Sequence, residues 1–246
     1  MGVLNTLLEW IYPPRCALCD TIFTLIGPRH FCEGCRSALA YIGEPTCRMC
    51  GLAAARADEA CPQCRGKSYA FSRNVSLFAY EDTVADAIRR FKFHGRPDIG
   101  KAFGLLMAEK CLEAFPERAD YIVPVPLHRT RQRKRGYNQA AILAAEIGAK
   151  TGIPVKFDGI VRMRRTKPQS ALRPGERANN MVGAFKIRVG FDVQDAVVLL
   201  IDDIFTTGST LNACAKALRE AGAADVRALT LSIALPKNTA KNTAEI

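Results

Sequence analysis

The sequence predicts an α/β protein, a parallel sheet with helices on its faces, preceded by a small cysteine-rich module that needs metal to fold. Three observations carry this. From Tyr69 onward, strand-like apolar runs alternate with helical stripes, which implies parallel strands joined by helical crossovers. The run Val197-Val198-Leu199-Leu200-Ile201 suits a strand covered on both faces. It leads into Asp202-Asp203 and then the hydroxyl-rich turn Thr206-Thr207-Gly208-Ser209-Thr210. Before Tyr69, eight of the ten cysteines form four Cys-x-x-Cys pairs.

Taken in chain order, the pairs are Cys16/Cys19, Cys32/Cys35, Cys47/Cys50 and Cys61/Cys64. Zn2+ takes four tetrahedral thiolates, and each pair offers two from a tight knuckle, so two structural zinc ions are expected. Sequential grouping (Cys16, Cys19, Cys32, Cys35 on one ion; Cys47, Cys50, Cys61, Cys64 on the other) is the simplest arrangement, and cross-braced pairing satisfies the spacing too. Thioredoxin-like redox use fits poorly, since no βαβ pattern surrounds the pairs. Residues 1–68 hold few large apolar side chains after Trp10, so metal must replace the missing core. Basic residues such as Arg15, Arg29 and Arg36 leave both bracing and nucleic-acid contact open for this module.

Residues 69–235 form the second domain. Val75–Tyr80 predicts a strand; Thr83–Phe93, with Val84, Ala87, Ile88 and Phe91 on one stripe, and Ile99–Phe115 predict helices. Tyr121–Pro126 is a strand, Asn138–Thr151 a helix, Ala196–Ile201 a strand, Leu211–Ala221 a helix and Val226–Ile233 a strand. Gly95 to Ala102 imitates a nucleotide-triphosphate loop. Ala102 lacks the hydroxyl that would ligate Mg2+, however, and no strand precedes it, so a turn between helices explains it better. Cys111 and Cys214 fall in helical segments and suit small core positions. Residues 236–246 are polar, lack periodicity and are expected to be a disordered tail.

The net charge of +11 is concentrated: Arg129 to Arg188 holds fifteen Lys and Arg against three acids. A polyanionic ligand is the natural partner for such a segment. Met1 to Ile11 is short, carries Glu9 and lacks a basic start, and no run approaches the length of a membrane helix. Membrane insertion and secretion are therefore not expected, and paired thiols suit a reducing, cytoplasmic location.

The turn Thr206 to Thr210 offers hydroxyls, backbone N–H groups and a glycine at the positive end of a helix, which suits a phosphate. Asp202 and Asp203 would repel a phosphate, but they accept hydrogen bonds from a pair of sugar hydroxyls and orient a hydrated Mg2+. The stretch resembles the phosphoribosyl-diphosphate (PRPP) signature of type I phosphoribosyltransferases. Ile122-Val-Pro124-Val-Pro126-Leu127-His128-Arg129, Arg135-Gly136-Tyr137-Asn138-Gln139 and Arg162-Met-Arg164-Arg165-Thr166-Lys167-Pro168-Gln169-Ser170 complete a likeness to the ComF family of competence-associated, phosphoribosyltransferase-like proteins.

That resemblance implies a type I phosphoribosyltransferase fold behind a double zinc ribbon. It places the ribose on Asp202 and Asp203, the 5-phosphate on Thr206, Thr207, Gly208, Ser209 and Thr210, and the diphosphate on Leu127, His128 and Arg129. Arg165 and Lys167 would belong to a mobile catalytic hood over the leaving group. The implied function is PRPP binding in DNA uptake and transformation, with Mg2+-dependent pentosyl transfer. The alternative is a non-catalytic, zinc-containing factor that binds single-stranded DNA and keeps PRPP as a ligand only. Single-stranded DNA and a competence helicase are the implied partners. One departure concerns the acceptor: purine salvage enzymes of this fold carry an acid where Thr206 stands. Only 13 residues follow Ile233, so acceptor recognition is expected from Tyr69 to Phe115 or from the zinc module.

Overall fold

A computed structural model of the chain, which describes residues 13–23, 30–56, 59–164 and 183–236, has a four-stranded parallel sheet at its centre. Its elements, in chain order, are α1 (Glu33–Ser37), β1 (Arg73–Ala79), α2 (Asp82–Phe93), α3 (Pro97–Ala114), β2 (Tyr121–Pro124), α4 (Arg129–Arg135), α5 (Gln139–Thr151), β3 (Ile160–Arg162), β4 (Phe185–Ile187), β5 (Val197–Phe205), α6 (Ser209–Glu220) and β6 (Asp225–Ile233). The sheet order is β1-β6-β5-β2, and β3 and β4 pair separately as an antiparallel ribbon.

Both faces of the sheet are covered, which is why its strands are apolar almost throughout. Helices α2, α3 and α5 bury Ile88, Phe91, Phe103, Met107, Leu143 and Ile147 in one core. On the opposite face α6 and the β3–β4 ribbon bury Leu211, Leu218 and Phe185. Cys111 and Cys214 are buried, one in each core, as expected of small apolar side chains.

Glycines allow the helices to approach closely. A Cβ at Gly100 would lie 2.3 Å from the Phe91 ring, and one at Gly104 would lie 2.6 Å from Glu146 Cβ. The nucleotide-loop imitation is thereby explained. Gly95 turns the chain at φ +62°, Pro97 opens α3, and Gly100 is a packing residue inside that helix.

The cysteine-rich module closes the free edge of β1. Ile42 N–H donates to Leu77 O (2.9 Å), Asn74 N–H donates to Arg48 O (3.0 Å), and Tyr41 bridges Phe78 antiparallel. An open strand edge invites intermolecular pairing, so this cover protects the sheet. The module's first half docks on the helical face, where Arg90 and Arg96 pair with Asp20 at 2.6 and 2.7 Å and Phe31 meets Phe103 with centroids 5.5 Å apart. Its second half sits over a buried polar strip, with Asn74 Nδ2 donating to Cys50 O (2.7 Å) and Ser76 bonded to Thr230 (2.7 Å).

One element is added to those expected and one is extended. The basic stretch after Pro126 forms a short helix, α4, because His128 caps its start and Gly136, left-handed at φ 86°, ends it. The strand expected to stop at Ile201 runs on to Phe205, paired to β6 through Asp202–Thr230 and Ile204–Ser232. Among the described residues, no helix is long and apolar enough to cross a membrane. The expected tail lies outside the described residues, Pro236 excepted.

Helix α5 supplies a test of the packing. Alanine at Gly148 should gain about 1 kcal/mol of helix propensity. Its Cβ, however, would lie 2.3 Å from Val155 Cγ2 and 3.1 Å from Ile153 O. Overpacking costs roughly 1–3 kcal/mol, so Gly148→Ala should be net destabilising in urea unfolding; a stabilised variant would show that α5 and the residue 155 segment have room to separate.

Candidate functional site

The site exists because two neighbouring strands differ in length. β2 ends at Pro124, opposite Ile201, while β5 continues four residues further without a strand partner on that edge among the described residues. A cleft of about 820 Å³ opens there, lined among others by Val125, Pro126, Leu127, Asp202, Asp203, Thr206 and Thr210. It lies at the carboxyl ends of parallel strands, where ligands of open α/β sheets bind.

Because the acids lie within β5, they project to opposite sides of it. Asp203 faces α2, where Lys92 Nζ lies 2.9 Å from its Oδ1. Asp202 lies toward the other face, within the electrostatic reach of Arg162 of β3 and Cys214 of α6. The Asp203 N–H donates to Asp202 Oδ1 (2.9 Å), which fixes that carboxylate. Burial, then the neighbouring Asp203 charge, raises the Asp202 pKa to about 7.

The hydroxyl turn follows directly. Gly208 is left-handed (φ 72°) and caps α6; a Cβ there would lie 2.8 Å from the Phe205 ring and 2.9 Å from the Tyr69 ring. Thr207 and Ser209 share a hydroxyl bond of 2.7 Å, and Thr206 and Thr210 line the cleft. The Ser209 N–H meets Thr207 Oγ1 at 3.5 Å, and the turn stands at the positive end of the α6 dipole, which favours an anion. Residues just after the cysteine-rich module brace this turn. Tyr69 OH donates to Thr207 O (3.1 Å), Ala70 N–H donates to Asn212 Oδ1 (2.7 Å), and Tyr69 stacks on Phe71 at 4.8 Å.

Five cationic side chains, those of Lys92, Arg131, Lys134, Arg135 and Arg162, line the cleft with the two carboxylates. Burial lowers the pKa of both Arg135 and Arg162, and Asp203 and Asp202 respectively counter that shift. Arg162 also lies over the Phe185 ring (5.4 Å), where β3 and β4 pair. Of the residues expected to meet diphosphate, Leu127 lines the cleft. The His128 ring accepts from Thr130 N–H at 3.3 Å, and Arg129 is exposed at the start of α4. Arg165 and Lys167 lie outside the described residues. Lys92 escaped the sequence reading, although it continues the Val84–Ile88 stripe at helical spacing, where a cation is out of place unless it has a charged partner.

The cysteine sulfurs form two clusters, Cys16, Cys19, Cys32, Cys35 and Cys47, Cys50, Cys61, Cys64, each with all sulfurs within 4.8 Å of one another. This is the sequential grouping. Tetrahedral Zn2+ with bonds of about 2.3 Å spaces its sulfurs about 3.8 Å apart, and Cys19–Cys32 and Cys50–Cys61 stand at 3.7 and 3.6 Å. The two clusters fit two structural zinc ions. Their halves are also structural repeats. Arg15–Ile22 and Thr46–Ala53 are matching bridges, and the Cys32 and Cys61 amides donate to the Cys16 and Cys47 sulfurs at 3.4 and 3.3 Å. Asp20, at φ 60°, occupies the turn position that Gly51 fills in the second half.

Two outcomes follow from this geometry. Metal analysis should find two zinc ions per chain, both released when the thiols are titrated; a single ion would contradict the paired clusters. The second concerns pH. Without Mg2+, Asp202 takes up a proton on folding between its ordinary value of 3.8 and about 7. The folded state holds more protons in that window, so stability falls as pH rises through it. Asp202→Asn should therefore raise the melting temperature at pH 8 and do so less at pH 5; an equal effect at both would refute the assignment.

Residues 7–65 match the double zinc ribbon domain family, and residues 105–243 match the phosphoribosyl transferase domain family. Competence protein F of Haemophilus influenzae is 30% identical over 210 residues, spanning 82% of this chain and 90% of that protein. Competence protein ComFC of Bacillus subtilis is 28% identical over 88% of this chain and 93% of its own length. DNA utilization protein YhgH of Escherichia coli (strain K12) is 30% identical over 87% and 95% respectively. With both domains matched and such relatives aligned along most of its length, the chain belongs to the ComF family of competence-associated proteins, a double zinc ribbon joined to a phosphoribosyl transferase domain.

Proposed function

We propose that the cleft binds PRPP as its Mg2+ complex and that the protein transfers the phosphoribosyl group. One observation carries this reading: among the described residues, the acid pair, the hydroxyl turn and five cations converge on a single cleft at the end of β5. Asp202 and Asp203 accept hydrogen bonds from the ribose 2- and 3-hydroxyls. Thr206 to Thr210 hold the 5-phosphate through hydroxyls and first-turn amides.

The diphosphate lies over Leu127 and the start of α4, where His128 and Arg129 were expected to act, with Arg131, Lys134, Arg135 and Arg162 offsetting its charge. Arg165 and Lys167, which lie outside the described residues, are assigned by the family resemblance to the hood over the same leaving group. Mg2+ arrives as part of the substrate complex, and carboxylate oxygens are the hard donors that orient it through water. As the bond from the anomeric carbon to diphosphate breaks, positive charge grows on the sugar and negative charge on the leaving group. Fixed charges on both sides then stabilise the separated state.

The names of the relatives carry the cellular part of the proposal. Competence and DNA utilization proteins are concerned with DNA, and the basic segment 129–188 suits contact with a single strand. We assign the protein to DNA uptake in the cytoplasm, alongside a competence helicase.

Calorimetry with PRPP and Mg2+ should give saturable binding that Asp203→Ala weakens about tenfold or more, since hydrogen bonds to charged groups contribute about 1.5–3 kcal/mol. Measuring diphosphate release in the same samples separates transfer from simple binding: saturation without release would make PRPP a ligand and not a substrate. Affinity for single-stranded DNA should fall steeply between 50 and 200 mM salt, and a flat response would remove phosphate contacts from the account.

A further inference from the structure

The two halves of the cysteine-rich module repeat one another in backbone, but the fold covers their sulfurs unequally. In the second half, Cys47, Cys50, Cys61 and Cys64 are each 5% exposed or less and share a core with Phe71. In the first, Cys16 is buried, Cys32 and Cys35 are half-buried, and Cys19 is exposed. Cys19 Sγ lies 3.7 Å from Cys32 Sγ and 3.1 Å from the exposed Thr21 hydroxyl. A metal-bound sulfur is a thiolate, the nucleophilic form, and one at the surface still presents electron pairs to solvent.

The more open half is also the one that grips α2. Asp20, beside Cys19, pairs with Arg90 and Arg96 at 2.6 and 2.7 Å. Arg90 also donates to the carbonyls of Ala17 (3.1 Å) and Leu18, the two residues inside the Cys16/Cys19 knuckle. Two residues further along α2, Lys92 holds Asp203 at 2.9 Å. The hold on this helix therefore depends on a knuckle whose shape is set at an exposed sulfur.

We infer that Cys19 is a site of oxidative modification, at which a peroxide releases the first zinc ion and loosens α2 while the second zinc stays in place. The Cys19 thiolate attacks one peroxide oxygen, the O–O bond breaks, and hydroxide leaves Cys19 as a sulfenic acid. Cys32 then attacks that sulfur, forming a disulfide and expelling a second hydroxide. Both hydroxides take up protons to become water, and the peroxide gains the two electrons that the thiolates lose. Two zinc–sulfur bonds are lost, which leaves Cys16 and Cys35 too few to retain the ion. Without metal the knuckle no longer fixes the Ala17 and Leu18 carbonyls against Arg90. The inference uses the fit of the cysteine clusters to zinc and is independent of what the cleft binds.

The test treats the full-length, zinc-loaded protein with hydrogen peroxide beside a chromogenic zinc chelator and maps the oxidised cysteines by peptide mass. One equivalent of zinc should leave at least about tenfold faster than the other, because oxidation follows thiolate exposure. A Cys19–Cys32 disulfide should form in that first phase, with Cys47, Cys50, Cys61 and Cys64 still reduced. Hydrogen exchange in α2 should rise with the first equivalent while β5 and β6 stay protected, and dithiothreitol with added zinc should restore both. Cys19→His keeps a zinc ligand that cannot form a disulfide, so the fast phase should disappear with two ions still bound; if that variant holds fewer than two, the peptide masses of the unsubstituted protein decide. Loss of both ions at one rate, or first oxidation at the second cluster, overturns the site. Unchanged exchange in α2 after the first zinc has left overturns its coupling to the helix.

Discussion

Two adjacent carboxylates placed at the end of a buried strand are a constraint that the surrounding structure has to meet. Asp202 and Asp203 repel one another and lose hydration, and Asp202 responds by holding its proton to about pH 7. The strand alternation separates the pair across the sheet, and each side then supplies a cation, Lys92 from α2 and Arg162 from β3. Neither cation would be there without helices on one face and a ribbon on the other. The ligand proposed above would donate hydroxyls to both acids and carry phosphate to Gly208 and to α4.

The cysteine-rich module contributes to the same end through backbone contacts. It closes the β1 edge, and it leads into Tyr69, Ala70 and Phe71, which hold the turn around Gly208 and the start of α6. Phe71 shares a core with all four sulfurs of the second cluster. A module too small to bury a core of its own thus gains order from metal and passes it to the hydroxyl turn. Its repeat halves divide the task, the first resting on α2 and α3 and the second on β1 and the strip of Asn74, Ser76 and Thr230.

The alternation of elements was legible because each carries its own period, and the hydroxyl turn because its residues are consecutive. The four cysteine pairs were legible for a related reason: a tight knuckle is a local structure. The end of β5 was not. The strand was expected to stop at Ile201, yet pairing of Asp202 and Ile204 with Thr230 and Ser232 of β6, far along the chain, keeps that stretch in the sheet. The helical state of Arg129–Arg135 was hidden by its charge, which outweighs the caps at His128 and Gly136 in any reading by composition.

The sequence by itself determined the fold class, the metal-binding character of the first domain and the segment that forms the hydroxyl turn, since all three follow from local periodicity and short spacing. Only the tertiary structure decided how the cysteines group, which cations meet the acids, and how unequally the two sulfur clusters are covered. Those facts depend on where α2, β3 and the two cysteine knuckles come to rest against β1 and β5. Packing between residues distant in the chain sets that placement, and no window of sequence contains both partners.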